Sequence, residues 1–284
     1  MTFENSAGPE ALLTLTGKTA IVTGGGRGIG RAIVQLLASA GASVLAADLD
    51  NEALEEMQRL VRHPDRVGSI SGDMTDPSFP RQIVDAALQS FHSIDIIVNC
   101  AGFSWDSVIQ KTSDEQFQAM LDIHIVAPFR LLRSASSYLR ETAKQETVNG
   151  NRVMRKVVNI TSISGTDGNA GQAGYGAGKA GVIGLTKTLA KEWGRFNINV
   201  NAVGFGLIQT RMTQPLRPEG KINMGGKDIP IGVQPAMLES AVAQSPLGRM
   251  GTPEEAAGAV LFFCSPLSDF VTGEVLICSG GFHF

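Results

Sequence analysis

Tyr175 and Lys179 stand one helical turn apart at the end of SISGTDGNAGQAGYGAGK, Ser162 to Lys179, which holds six glycines and one of the chain's two tyrosines. Helical spacing puts the phenol and the ammonium on one face. A phenol with a pKa of about 10 is a poor proton donor or acceptor at neutral pH, so it needs help. A neighbouring cation favours phenolate and draws that value toward the working range. Ser162, expected at the end of a strand, can hydrogen-bond an oxygen on which charge develops. A lone Tyr-x-x-x-Lys also reads as an ordinary amphipathic pair, and chance produces many. Its weight depends on what surrounds it.

A second chemical element lies near the N-terminus. TGGGRGIG, Thr23 to Gly30, follows an apolar strand-like run and leads into a helical pattern. The spacing is T-G-x-x-x-G-x-G, with Gly24, Gly28 and Gly30 at the defining positions and Arg27 and Ile29 between them. Glycines allow a tight turn and close approach of a ligand, and the free N–H groups of the helix start suit a pyrophosphate. Asp48, in VLAADLD, ends the second strand, where a carboxylate can accept both ribose hydroxyls of an adenosine and repel a 2′-phosphate. Arg27 pulls the other way, since it could pair with such a phosphate. On charge grounds NAD is favoured over NADP. Asp73 and Met74 follow the third strand and are expected at the adenine. Asn99, with Ala101 and Gly102, ends the fourth strand where a nucleotide needs room.

The elements that must hold these residues alternate along the chain. Strands are expected at 18–23, 42–48, 66–71, 94–99, 157–161, 198–203 and 274–279, with helical patterns between them. Such alternation predicts an α/β fold: one doubly wound domain with a parallel sheet of about seven strands and helices on both faces. Residues 1–16 are an expected extension and residues 17–284 a single dinucleotide-binding catalytic domain. The polar run Glu141 to Lys156 is expected to extend a helix and then form a solvated loop. A lid is expected at about 207–245, because 208–244 is long for a connection inside one domain. KINMGGKDIPIGV within it reads as a hairpin about Gly-Gly.

Bulk properties narrow the function. A net charge of −3 argues against nucleic acid, which favours a basic face. No apolar run reaches membrane-spanning length, and the acidic N-terminus is unlike a secretion signal. Three scattered cysteines and isolated histidines predict neither a disulfide framework nor a metal site, so a cytoplasmic setting is expected.

Thr23 to Gly30, Asp73, Asn99 to Gly102, Ser162, Tyr175, Lys179, Asn201, Thr210 in LIQT and the ending PLGRMGTPEEAAGAVLFFCS…TGEVLICSGG together resemble the short-chain dehydrogenase/reductase family, over residues 17–281. The resemblance implies a Rossmann-type fold and hydride transfer between NAD or NADP and a secondary alcohol/ketone pair. It assigns proton transfer to Tyr175, substrate positioning to Ser162, and to Lys179 both the nicotinamide ribose and a lowered tyrosine pKa. Gly206, Ile208 and Thr210 become cofactor contacts. Overall the chain is most similar to 3-oxoacyl reductases, so the expected substrate is a 3-oxoacyl/3-hydroxyacyl pair on coenzyme A or acyl carrier protein. Ile222, Met224, Ile229 and Ile231 in the lid suit an acyl chain. A polyol, steroid or hydroxy-acid dehydrogenase stays open, as does a nucleotide-binding regulatory protein without turnover. Family members commonly bury the tyrosine helix in a dimer interface, which implies a homo-oligomer, expected to be a tetramer.

Three departures stand out. His124 occupies the position of the family's Asn and is either a member of the proton relay or a packed histidine. Phe205 precedes Gly206 where Pro is usual, adding an apolar wall. Ser279 replaces an acid in the final segment.

Overall fold

A computed structural model of the protein describes residues 8, 10–217, 220–224 and 226–283. Its centre is a seven-stranded parallel sheet: β1 (Thr19–Thr23), β2 (Ser43–Asp48), β3 (Val67–Ser71), β4 (Ile96–Asn99), β5 (Arg155–Ser162), β6 (Ile198–Phe205) and, last in the chain, β9 (Val275–Cys278). The order is β3-β2-β1-β4-β5-β6-β9. The order in which strands are added reverses between β1 and β4, which run parallel and pair through Ala20–Ile96, Ile21–Ile97 and Val22–Val98. Crossing from strand to helix and back on alternate sides opens a crevice at the carboxyl ends of those two strands.

Alternation along each strand divides the core. Ala20 and Val22 of β1, with Ile96 and Val98 of β4, face α1 (Gly28–Ser39), α2 (Asn51–Leu60) and α9 (Pro253–Cys264). Ile21 and Ile97 face the opposite way, onto α3 (Phe79–Phe91), α4 (Asp114–Leu121), α5 (Ala127–Val148) and α7 (Ala173–Trp193). Every residue of β1, β4, β5 and β6 is buried, as expected for strands covered on both faces. Each such aliphatic side chain contributes about 1.5–3 kcal/mol.

Half of the expected extension falls on residues outside those described. Leu15 nonetheless sits in the core, its N–H donating to the Ala40 carbonyl at 2.7 Å.

The polar segment needs correction. α5 does extend to Val148, but β5 begins at Arg155, so two charged residues expected in a loop lie buried in the sheet. Arg155 forms a two-pronged pair with Glu146, at 2.7 Å on each arm. Lys156 donates to Asn199 at 2.9 Å and pairs with Asp269 at 2.8 Å. Buried charge is tolerated because it is paired.

The excursion after β6 forms the hairpin of β7 (Lys221–Met224) and β8 (Lys227–Pro230), then α8 (Pro235–Gln244). It leaves and returns at one place, where Gln209 N–H donates to the Gly251 carbonyl and Gly251 N–H to Leu207. Ile229 is 1% exposed, packed in the same cluster as Phe103 and Met120, and Lys227 ion-pairs with Glu115 at the start of α4. The hairpin is therefore anchored over the carboxyl end of the sheet. Met224's side chain lies outside the described residues. Among those residues no helix is long and apolar enough to cross a membrane.

Candidate active site

The carboxyl ends of β1, β2, β4, β5 and β6 border one cavity of about 1100 Å³, roofed by the lid. Strand ends supply its walls because side chains and free backbone groups emerge there without a neighbouring ladder.

The Gly-rich turn closes one end. Gly24 and Gly28 have φ of 68° and 50°, in the region that favours glycine. A Cβ on Gly30 would stand 1.9 Å from the Gly24 carbonyl oxygen, so no larger residue fits the turn. α1 starts with neither a side-chain cap nor an acid in its first turn. Its leading N–H groups are left for an anion. Thr23 Oγ1 accepts from the N–H groups of Cys100 and Ala101, at 3.0 and 3.1 Å, tying the ends of β1 and β4 together.

Asp48 faces the same cavity from β2. Its carboxylate accepts from the N–H groups of Gly26, at 2.9 Å, and Asp50, at 3.1 Å. Those bonds hold it at the end of the Gly-rich turn. Arg27 is paired with Asp50, which also caps α2. Beyond them, Asp73 and Met74 border the cavity, and Asp73 Oδ1 is spent on the N–H and hydroxyl of Thr75, each at 2.8 Å. This uncapped helix start, shaped turn and acid suit an adenine dinucleotide.

Ser162, Tyr175, Lys179 and His124 meet at the other end. Ser162 closes β5 opposite Phe205 of β6, accepts from Ser164 N–H at 3.2 Å and donates to the Phe205 carbonyl at 3.4 Å. Lys179 is buried; its Nζ donates to the Ile160 carbonyl at 2.9 Å and lies 5.6 Å from the centre of the Tyr175 ring. Burial lowers its pKa to about 8, leaving it mostly charged at neutral pH.

The tyrosine departs from expectation. Burial pushes the Tyr175 pKa up to about 12; a hydrogen bond from Ser162 opposes this, while the charges of Asp106 and Cys100 add to it. Desolvation of the phenolate dominates, so the phenol holds its proton at neutral pH.

His124 stands beside Tyr175. It lies within a π-helical turn, Asp122–Val126, between α4 and α5, and is 3% exposed. Nε2 donates to the Phe103 carbonyl at 2.7 Å, leaving Nδ1 buried and unpartnered. Burial first, then the Lys179 charge, holds its pKa well below the usual histidine value. The neutral ring thus has its one N–H committed to Phe103 and its Nδ1 left as an acceptor. Its edge meets the Tyr175 ring at a centroid distance of 4.9 Å.

The glycines around Tyr175 make this packing possible. A Cβ on Gly178 would lie 2.8 Å from His124 Cβ, and one on Gly102 would lie 2.5 Å from His124 Cε1. A Cβ on Gly174 would crowd Met120 at 3.1 Å. The small face at these positions therefore serves close approach within the chain.

Arg27, Gly28, Ile29, Gly30, Ala101, Gly102, Gly206, Ile208 and Thr210 all border the cavity. Asn99 does not. It is buried beneath the floor, where its side-chain N–H donates to Asn159 Oδ1 at 2.8 Å and joins β4 to β5. Sequence reasoning missed Phe103, Asp106, Gln172, Asp50 and Arg211. Gln172 accepts from Ser164 Oγ and donates to Asp106, both at 2.7 Å, linking the Ser162 turn to the loop after β4. Its position three residues before Tyr175 was the available signal.

Comparison with known proteins follows the same lines. A family model described as enoyl-(acyl carrier protein) reductase matches residues 24–283. The 3-oxoacyl-[acyl-carrier-protein] reductase FabG of Thermotoga maritima is 35% identical over 270 residues, covering 95% of this chain and 99% of the relative. A 3α-hydroxysteroid dehydrogenase of Mediterraneibacter gnavus is 34% identical over 275 residues, covering 94% and 98%. A short-chain type dehydrogenase/reductase structure from Mycobacterium marinum aligns with a TM-score of 0.79 at 27% identity, over 95% of this chain and 96% of that one.

Proposed function

The chain belongs to the short-chain dehydrogenase/reductase family, and from that premise we propose that it interconverts a 3-oxoacyl and a 3-hydroxyacyl thioester with a nicotinamide dinucleotide. It is an oxidoreductase of CH–OH groups. The observation that carries the reading is one cavity bordered by the uncapped Gly-rich turn at one end and by Ser162, Tyr175 and Lys179 at the other. A nicotinamide dinucleotide held between the Gly-rich turn and Lys179 would supply the hydride for reduction or take it up in oxidation.

The chain's own residues do the rest. Tyr175 gives its proton to the substrate oxygen during reduction and recovers it during oxidation. A phenol that stays protonated at neutral pH is ready for the first task. Ser162 donates to the same oxygen as charge develops there, and is already held at the strand end by Ser164. Lys179, charged and fixed by the Ile160 carbonyl, holds the nicotinamide ribose and favours the phenolate when the proton leaves. His124 is a positioning residue that sets the Tyr175 ring and the Phe103 segment. Gly24, Gly28, Gly30 and Thr210 hold the pyrophosphate, and Asp48 the adenosine ribose. Asp48 and Asp50 support NAD over NADP, since together they oppose a 2′-phosphate and Asp50 occupies Arg27.

The acyl thioester is supported by Phe103, Phe205, Met212, Ile222, Leu238 and Met250, which give the substrate end apolar walls, and by the named activity of the Thermotoga maritima relative. The exposed small residues of α7, among them Ala177 and Gly184, support packing against a second copy. The direct test supplies NADH or NADPH with acetoacetyl-CoA, a ketosteroid and a sugar ketone. Consumption led by NADH and acetoacetyl-CoA is expected. A ketosteroid or sugar preference removes the acyl assignment, and tight NADH binding without turnover on any carbonyl removes the enzymatic one.

A further inference from the structure

Arg211 opens the short helical turn Arg211–Thr213, where the chain leaves Thr210 for the lid. It borders the cavity, yet no hydrogen bond or ion pair joins it to another described residue. Burial lowers its pKa from the ordinary arginine value and the Arg27 charge acts the same way, with Asp50 and Asp48 opposing. Two guanidinium groups thus repel across the cleft, one carried by the Gly-rich turn and one by the lid. Both keep unused donors: Arg27 pairs with Asp50, but its Nε–H is buried without an acceptor. The two walls are already close, since a Cβ on Gly28 would lie 3.6 Å from the Thr210 methyl.

Like charges with spare donors on facing walls are relieved by one kind of partner, an anion rich in acceptors. We propose that Arg211 is a lid-borne binding residue for a phosphoryl group on the adenosine half of the dinucleotide. This rests on the cofactor reading above. Phosphoryl binding neutralises the Arg27–Arg211 repulsion and draws the root of the lid onto the Gly-rich turn. Because the hairpin Lys221–Pro230 belongs to the same lid, cofactor binding then steadies the roof of the substrate end.

Titration calorimetry of the whole protein with ADP-ribose, 2′-phospho-ADP-ribose and adenosine tests this without turnover. Arg211→Gln is expected to weaken ADP-ribose by about tenfold or more, the size of one charge-assisted hydrogen bond. Adenosine binding should be unchanged, and Arg211→Lys should recover part of the loss. A loss confined to the 2′-phosphorylated compound also supports the contact and puts it on the ribose phosphate. In limited trypsin digestion, ADP-ribose should slow cleavage at Lys221 and Lys227 in the parent and not in Arg211→Gln. Equal binding of both nucleotides by parent and Arg211→Gln overturns the inference while leaving the cofactor reading intact. A parent protein that binds neither nucleotide overturns both.

Discussion

Half-buried Tyr175 and buried His124 share one wall of the cavity, and desolvation acts on them in opposite senses: it keeps the phenol protonated and the imidazole unprotonated. The histidine makes this testable. Its folded pKa lies well below the unfolded value of about 6.5. The unfolded chain therefore binds the extra proton first, and the stability that the neutral ring contributes is present above pH 6.5 and lost as pH falls toward the folded value. Replacing His124 by Asn removes this titration. As pH falls below about 6.5, denaturant unfolding should show the parent losing stability relative to His124→Asn, while the two proteins keep a constant difference above it. The pH–rate profiles of the two proteins should superimpose. A shifted profile would make the imidazole a proton carrier after all. That Ser162, Tyr175 and Lys179 meet at one cavity was legible from the family resemblance carried by the motifs around them, since the Tyr–Lys spacing alone was too common to decide it. The state of His124 was not, because it depends on the Phe103 carbonyl, which arrives from a distant loop.

At the scale of elements, the β-rich runs announced all seven strands of the sheet, and the Gly-Gly run announced the hairpin. The start of β5 was hidden because Arg155 and Lys156 look like loop residues until Glu146, Asn199 and Asp269 are seen beside them. The role of the glycines in α7 was also hidden: spacing shows a small face, but only packing shows that Gly174 and Gly178 meet Met120 and His124. The lid hairpin rests on Ile229 and on the Lys227–Glu115 pair, and an exposed pair contributes little, so the aliphatic contact dominates. Ile229→Ala should raise KM for acetoacetyl-CoA several-fold, speed tryptic cleavage at Lys227 and leave cofactor affinity nearly unchanged. A KM equal to the parent's would mean that the hairpin does not roof the substrate.

For the whole molecule, the doubly wound order places the strand ends that bear Asp48, Ser162 and Phe205 on one edge, which is why residues far apart in sequence line one cavity. That much follows from alternation and the Gly-rich turn. Arg211 and Asp50 could not be read ahead, since their meaning depends on the lid crossing back to the first βα turn. Assembly is a further consequence at this scale: Ala177 and Gly184 on α7 and Phe129 on α5 are exposed in the single chain. Sedimentation velocity should give a dimer or tetramer, and Gly184→Arg should shift it toward monomer; a monomeric parent would remove that reading. The most direct measurement compares Tyr175→Phe with the parent in NADH-dependent reduction of acetoacetyl-CoA, alongside NADH affinity. Loss of the proton donor predicts a fall in kcat of about a thousandfold, with the affinity within a few-fold of the parent. A Tyr175→Phe rate within about twofold of the parent would contradict the assignment of the phenol as acid and base.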